Sequence, residues 1–374
     1  MNNYLETYKI ILTVQSPVYI GSGKNTNKKE YIFDYRSNTV HIPAFEKMFT
    51  FMYNRGLLEK YQDYLLKDRR DFSRWLKENG LQQKDYMPWI AYSLSAGDAL
   101  EEMKSKKEIY SFMKDAYGKP YIPGSSLKGA VRTALLAHCI LNNKARYADS
   151  AQAVMKADTS KKRSLMVREA SGIEEITFNT LGRIDNKGKP IKQSNAVNDI
   201  MSGIRISDSK PLDVSALVLC QKIDENTRGM DRKMPLLREC LKPGTTVEFD
   251  LTIDTSLSPF SKDDIMAAIN SFAQNNAAVF DSKFKSNGVL KKDTIVIGGG
   301  AGYQTKTVSY ALLGKSPQSV KRISQIIDAT LGGKAKAEHK HYKDRQLGVS
   351  PHTAKRTYYQ NKKYTMGVCT IAIK

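Results

Sequence analysis

The sequence predicts an α+β fold made of two ferredoxin-like units, with a helical insertion and a protruding hairpin. Three observations predict it. Tyr8, Ile10, Leu12 and Val14 alternate with Lys9, Ile11, Thr13 and Gln15, a period-2 strand with one strongly apolar face. Val247, Phe249, Leu251 and Ile253 alternate with Glu248, Asp250 and Thr252 behind a Pro243-Gly244 turn. Helical patterns separate the strands, so the order is strand, helix, strands, then strands, helix, strand, helix, strand. That is the split-βαβ plan in duplicate. A chain of 374 residues can bury two cores, and the expected division is 1–230 and 231–374.

The elements follow in order. "SPVYIGSGKNTNKK" (Ser16 to Lys29) carries proline, glycines and lysines and predicts a loop. "EYIFDYRSNTVHIP" predicts a hairpin turning near Ser37-Asn38. From about 44 to 110 the texture is helical, as expected of an insertion. "KPYIPGSSLKGAVRTALLAH" then gives a turn and a helix with Ser125 as N-cap and Leu127, Val131, Ala134 and Leu135 on the buried face. "IEEITFNTLGRI", "DNKGKP" and a polar return predict a mobile hairpin over about 174–200. Ile204 and Ile206 belong to a short strand that runs into Ser207-Asp208-Ser209, and "ALVLCQKID" to another. "SKDDIMAAINSFAQ" is a helix with Ser261 as N-cap and Asp263 and Asp264 in its first turn. A glycine loop (298–302) follows the strand "DTIVI"; "SPQSVKRISQIIDATLGG" is a helix closed by Gly332-Gly333, and an apolar strand ends the chain.

Composition narrows the function. The chain has 59 Lys+Arg against 38 Asp+Glu, a net charge of +21, which attracts polyanions, nucleic acid first among them. No signal-peptide pattern opens it, and no apolar run is long enough to span a bilayer, so a cytoplasmic protein with no membrane partner is expected. Cys139, Cys220, Cys240 and Cys369 have neither metal-ligand spacing nor the density of a disulfide scaffold.

Several catalytic signatures fail. A dinucleotide fingerprint would need glycine where Tyr303 stands, and a Walker loop would need Gly-Lys-Ser/Thr where the chain reads Gly-Tyr-Gln-Thr-Lys-Thr. Ser125-x-x-Lys128 matches a penicillin-interacting signature, but its partners are Ser207-Asp208-Ser209 and Lys306-Thr307-Val308, both wrong at the third position. Gly298, Gly299, Gly300 and Gly302, followed by Tyr303, Gln304 and Lys306, suit a sugar-phosphate backbone instead: bare amides, a ring and a cation. A tight turn is the competing reading. Lys128 and Arg132 share one face of a helix start, where two cations oppose the dipole and each other; a phosphate there would reverse both signs. An exposed basic helix is the alternative. His339, His341 and His352 have no carboxylate or cysteine pattern to complete a metal site, and their basic, tyrosine-bearing segment (331–363) suits an RNA contact or a solvated loop. No metal or cofactor is expected.

Four stretches, "YIPGSSLKGAVRTAL", "DIMSGIRISDSKPL", "LKPGTTVEFDLTI" and "GGGAGYQTKT", resemble the RAMP proteins of CRISPR systems. The chain is most similar to the member that sits at the 3′ end of the CRISPR RNA in type III-A (Csm) interference complexes. The resemblance implies two ferredoxin-like (RRM-type) domains facing a cleft. It implies an RNA path lined by Gly21, Ser22, Gly23 and Lys24, by Ser125, Ser126, Lys128 and Arg132, and by the glycine loop, with the 174–200 hairpin as the thumb between guide and target. Arg183 on that hairpin and Arg205 on the short strand are counted with the RNA-binding residues. Implied partners are CRISPR RNA, target RNA, the other Csm RAMP backbone subunits and a host trimming nuclease. The expected function is a non-catalytic subunit that caps the guide and supports its 3′ maturation in antiviral defence. No catalytic role carries over by motif. Two alternatives stay open: a RAMP endoribonuclease that cleaves repeat RNA with His41 as general base, and the RAMP subunit at the 5′ end of the same complex.

Overall fold

The structure, a computed structural model, describes residues 4–99, 108–160, 164–285, 292–331 and 333–374. Two curled sheets organise it. The first is antiparallel and has the order β11-β14-β1-β10-β7, built from Thr294–Val296, Val368–Ile373, Leu5–Val14, Thr246–Asp254 and Ile204–Ile206. Its register runs Leu12 against Val247 on one side and Ile371 on the other. Two helices cover one face: α5 (Gly124–Asn142) and α8 (Lys262–Val279). Strand, helix, two strands, helix, strand, with the last strand beside the first, is the split-βαβ plan. The alternation predicts its core: Ile10, Leu12, Val247, Phe249, Leu251 and Ile253 are buried against Leu127, Val131, Leu135, Ile265 and Ile269. Helix α8 begins where expected, with a capping box: Ser261 Oγ accepts from Asp264 N–H at 3.2 Å, and Ser261 N–H donates to Asp264 at 2.9 Å.

The second sheet is larger and mixed, with the order β2-β6-β9-β8-β5-β4-β3. Its strands are Gly21–Thr26, Ile109–Phe112, Asp231–Leu241, Leu217–Asn226, Ile90–Ser95, Thr39–Pro43 and Ile32–Asp34. Strand β12 (Thr353–Tyr359) pairs with β8 and with β13 (Lys362–Thr365). The turn at 227–230 joins β8 to β9 within this sheet, and the first sheet draws strands from both sides of it. The order of elements along the chain therefore does not partition them between the two sheets.

Four local expectations change. Gly21–Thr26 is a strand, because its backbone pairs with β6 across a register shift between Gly21 and Asn25. The 44–110 block forms α1 (Phe45–Asn54), α2 (Leu58–Lys67), α3 (Phe72–Glu78) and α4 (Gln83–Tyr86), with 3₁₀ turns at Met87–Trp89 and Gly97–Ala99; Ile90–Ser95 and Ile109–Phe112 are strands of the second sheet, and 100–107 lie outside the described residues. These helices bury their own cluster of Met48, Met52, Tyr61, Tyr64, Phe72, Trp75 and Trp89. The thumb region opens on a helix: α7 (Val167–Phe178) follows α6 (Ala148–Lys156), and beyond it two isolated antiparallel bridges, Asn179 to Asp199 and Ile184 to Pro190, close on an Asp185–Gly188 turn. Ile173, Thr177 and Phe178 are buried at helical spacing, which overrides the β-like texture of "ITF". The basic 331–363 segment is folded rather than a loop. It contains α11 (Gly333–His339) and α12 (Asp344–Leu347), after α9 (Ser309–Leu313) and α10 (Pro317–Thr330). Its later cations are paired: Lys355 with Asp224 at 2.8 Å, buried Arg356 with Glu225 at 2.9 Å, and Lys363 with Asp231 at 2.8 Å. Helix α10 ends at Thr330 with Leu331 as cap; Gly332 lies outside the described residues.

Candidate RNA-binding face

The turn into α5 is held from within. Its N-cap is Pro123, and Ser125 is an exposed residue of the first turn. Gly124 N–H donates to the Asp208 carboxylate at 2.8 Å, and Ile122 N–H donates to Ser209 Oγ at 2.9 Å. Thus the Ser207-Asp208-Ser209 turn supplies the anion that the helix dipole favours. Gly124 is required by close approach: a Cβ there would stand well inside 3 Å of the Ile206 and Ser207 carbonyl oxygens. Two of the four sequence stretches are therefore halves of one packing device. Ser126 is half-buried and its N–H returns to Pro123 O at 2.9 Å.

The two helix cations part company. Arg132 pairs with Glu174 of α7 and with Asp199 at 2.7 Å, and its guanidinium lies 4.2 Å from the Phe178 ring centroid. The expected phosphate has two carboxylates in its place, so Arg132 ties α5 to α7. Lys128 is half-buried and makes no ion pair among the described residues. Burial pushes its ammonium pKa down, and Arg132 and Arg205 push the same way, against Asp199. An anion reaching Lys128 would relieve that loss. Arg205 is exposed and stands 3.9 Å from Asp254. Arg183 is exposed, and its backbone N–H donates to Asn198 Oδ1 at 2.7 Å.

The glycine loop packs on Tyr19. Gly299 N–H donates to Tyr19 O at 2.7 Å, and a Cβ on Gly298 (φ +79°) would collide with that same carbonyl. A Cβ on Gly300 (φ +77°) would collide with the guanidinium of Arg238. Arg238 sits 5.2 Å from the Tyr19 ring centroid, and its Nη1 is buried with no hydrogen-bond partner among the described residues. Sequence reasoning missed Arg238, because an arginine inside the strand "PLLREC" carries no spacing signal. Tyr303 is not a free stacking ring: it packs beside Phe280 and Phe284, and its hydroxyl is 2.8 Å from Ser309 Oγ. Gln304 is 3% exposed and turns into a cavity of about 470 Å³ walled by Ile269, Phe272 and Val296. Lys306 is exposed, and no carboxylate pairs with it among the described residues. Gly21, Ser22, Gly23 and Lys24 lie on the outermost strand of the second sheet. Gly23 takes φ +78°, Ser22 Oγ donates to Ser111 O at 3.2 Å, and Lys24 is exposed.

The structure thus gathers Gly21, the glycine loop and Arg238 around Tyr19, and Arg132 and Lys128 near Asp199, with Arg205 beside Lys128. His41 stands apart. It is 4% exposed in β4, its Nδ1 is 2.7 Å from Ser93 Oγ, and burial pushes its pKa down.

The RAMP superfamily model matches residues 11–303, most of the chain. The chain belongs to the RAMP superfamily. Among curated relatives it is similar to the CRISPR system Cms protein Csm5 of Mycobacterium tuberculosis (strain ATCC 25618 / H37Rv), 27% identical with 100% of this chain and 99% of the relative covered. Csm5 of Streptococcus thermophilus is 28% identical over 82% of each chain. A chain of the cryo-EM Csm–crRNA–target RNA ternary complex of a type III-A CRISPR-Cas system superposes with TM-score 0.69 at 20% identity, covering 98% of this chain and 100% of that one. The crystal structure of T. onnurineus Csm5 superposes with TM-score 0.59 at 18% identity, covering 96% and 99%. These superpositions bear out the expected family fold of two α+β units. No helix among the described residues is long and apolar enough to cross a membrane.

Proposed function

We propose that this chain is a non-catalytic RNA-binding subunit of a type III-A Csm complex. It caps the 3′ end of the CRISPR RNA and is needed for the maturation of that end. The observation that carries the reading is the end-to-end match to curated Csm5, 100% of one chain against 99% of the other. Its partners are then CRISPR RNA, target RNA, the neighbouring Csm RAMP subunits and a host trimming nuclease. The site geometry supports a sugar-phosphate ligand: Lys24, Lys128, Arg238 and Lys306 have no carboxylate partner among the described residues of a chain with net charge +21. The segment 179–199, which bears Arg183, is the candidate thumb. A general base must reach its substrate, and His41 lies inside the second sheet, which weighs against the repeat-cleaving alternative.

Sequencing guide-RNA ends from a strain lacking this chain tests the reading. Long guides with normal 5′ ends are expected. Mature 3′ ends would overturn the capping role, and uncut repeat precursor would favour the endoribonuclease.

A further inference from the structure

The fold completes a ligand set that spacing left unfinished. Asp344 is fully buried, and each of its carboxylate oxygens meets an imidazole: His341 Nδ1 at 2.9 Å and His352 Nδ1 at 2.5 Å. His341 and Asp344 are three residues apart on consecutive helical turns, the 3₁₀ turn His341–Lys343 and α12. Gly348, at φ +68°, then reverses the chain and brings His352 back to the same carboxylate. Ser350, between them, is clamped by the Tyr310 hydroxyl, which accepts from Ser350 N–H and donates to Ser350 O, both at 2.9 Å. His352 immediately precedes β12, which is paired to β8 through Thr353 and Asn226. All three side chains are therefore carried on braced elements.

We propose that His341, Asp344 and His352 form a binding site for a divalent transition metal, zinc first, which clasps the segment 341–352 to the second sheet. Two imidazoles and one carboxylate are a zinc donor set. The three ligand atoms lie within 4.8 Å of one another, and ligands of a tetrahedral zinc stand roughly 3.3–3.5 Å apart, so small ring rotations close the site. A fully buried ionised carboxylate is costly unless cationic charge compensates it, and a metal ion supplies that charge. On binding, the metal takes the Nδ1 positions that now face Asp344, and the imidazole proton sits on Nε2. The His352 side chain keeps 18% of its surface exposed, which gives the ion an entry path and leaves the fourth position to water. His339 lies parallel to His341 with ring centroids 5.7 Å apart; it stacks on the site and is not a ligand.

The test uses tag-free full-length protein stripped with chelator. Cobalt(II) titration should give a tetrahedral d–d spectrum that saturates at about one equivalent per chain, and zinc should displace it and raise the thermal midpoint. Asp344→Asn and His352→Gln should abolish the spectrum, whereas His339→Gln should keep it. If Asp344→Asn does not fold, His352→Gln, at the exposed edge, still decides. No stoichiometric cobalt signal in the wild type, or a signal lost with His339→Gln but kept with His352→Gln, would overturn the proposal.

Discussion

The start of α5 and the glycine loop look alike in sequence: small flexible residues, then a cation. They differ in how their charges are settled. At the helix start a carboxylate caps the first N–H, and Glu174 and Asp199 neutralise Arg132. At the loop the nearest guanidinium, Arg238, has a tyrosine face beside it and an Nη1 with no hydrogen-bond partner among the described residues. A basic residue in a family stretch is thus no guide to whether it is free for phosphate; the carboxylates on neighbouring elements decide that.

The largest effect should come from breaking the close approaches. Gly124→Val would drive a side chain into the carbonyls of Ile206 and Ser207, and overpacking of this kind costs about 1–3 kcal/mol or more. Thermal melts should show a large fall or no folded protein. A near-native melt would mean that the two stretches do not interlock.

Arg132→Ala comes next. It removes both ion pairs and the contact with Phe178, leaving two partly buried carboxylates, at about 1–2 kcal/mol. Denaturant midpoints should fall while the salt slope of guide-RNA binding stays put. A flattened slope with unchanged stability would return Arg132 to the RNA contacts.

Arg238→Ala and Lys128→Ala should behave in the opposite way. Each should reduce the log–log salt slope by about 0.7 for single-stranded RNA, with melting little changed. Fluorescence anisotropy at several salt concentrations reads this. Equal slopes for variant and wild type would remove that residue from the interface.

The subtlest test is a double-mutant cycle. Gly300→Val must displace the Arg238 guanidinium, so it should weaken RNA binding in the wild type and add little in the Arg238→Ala background. Additive losses would give the loop its own contact with RNA.

Local rules made much of the fold legible. The alternation in β1 and β10, the N-cap at Ser261 with Asp263 and Asp264 in the first turn, and the buried stripe of α5 all appear as read, because each depends on neighbours within a few residues. The glycine loop and the strand at Ile204 were also visible, although the reason for their glycines and cations was not. Tertiary structure alone decided that Gly21–Thr26 pairs as an outer strand, that Arg132 is neutralised, that Arg238 lies under Gly300, and that Asp344 joins His341 to His352. The same holds for the first sheet, whose strands come from Leu5 to Ile373. Spacing encodes periodicity and caps. Which carboxylate meets which cation across a hundred residues depends on packing that brings distant elements together, and no local pattern carries that information.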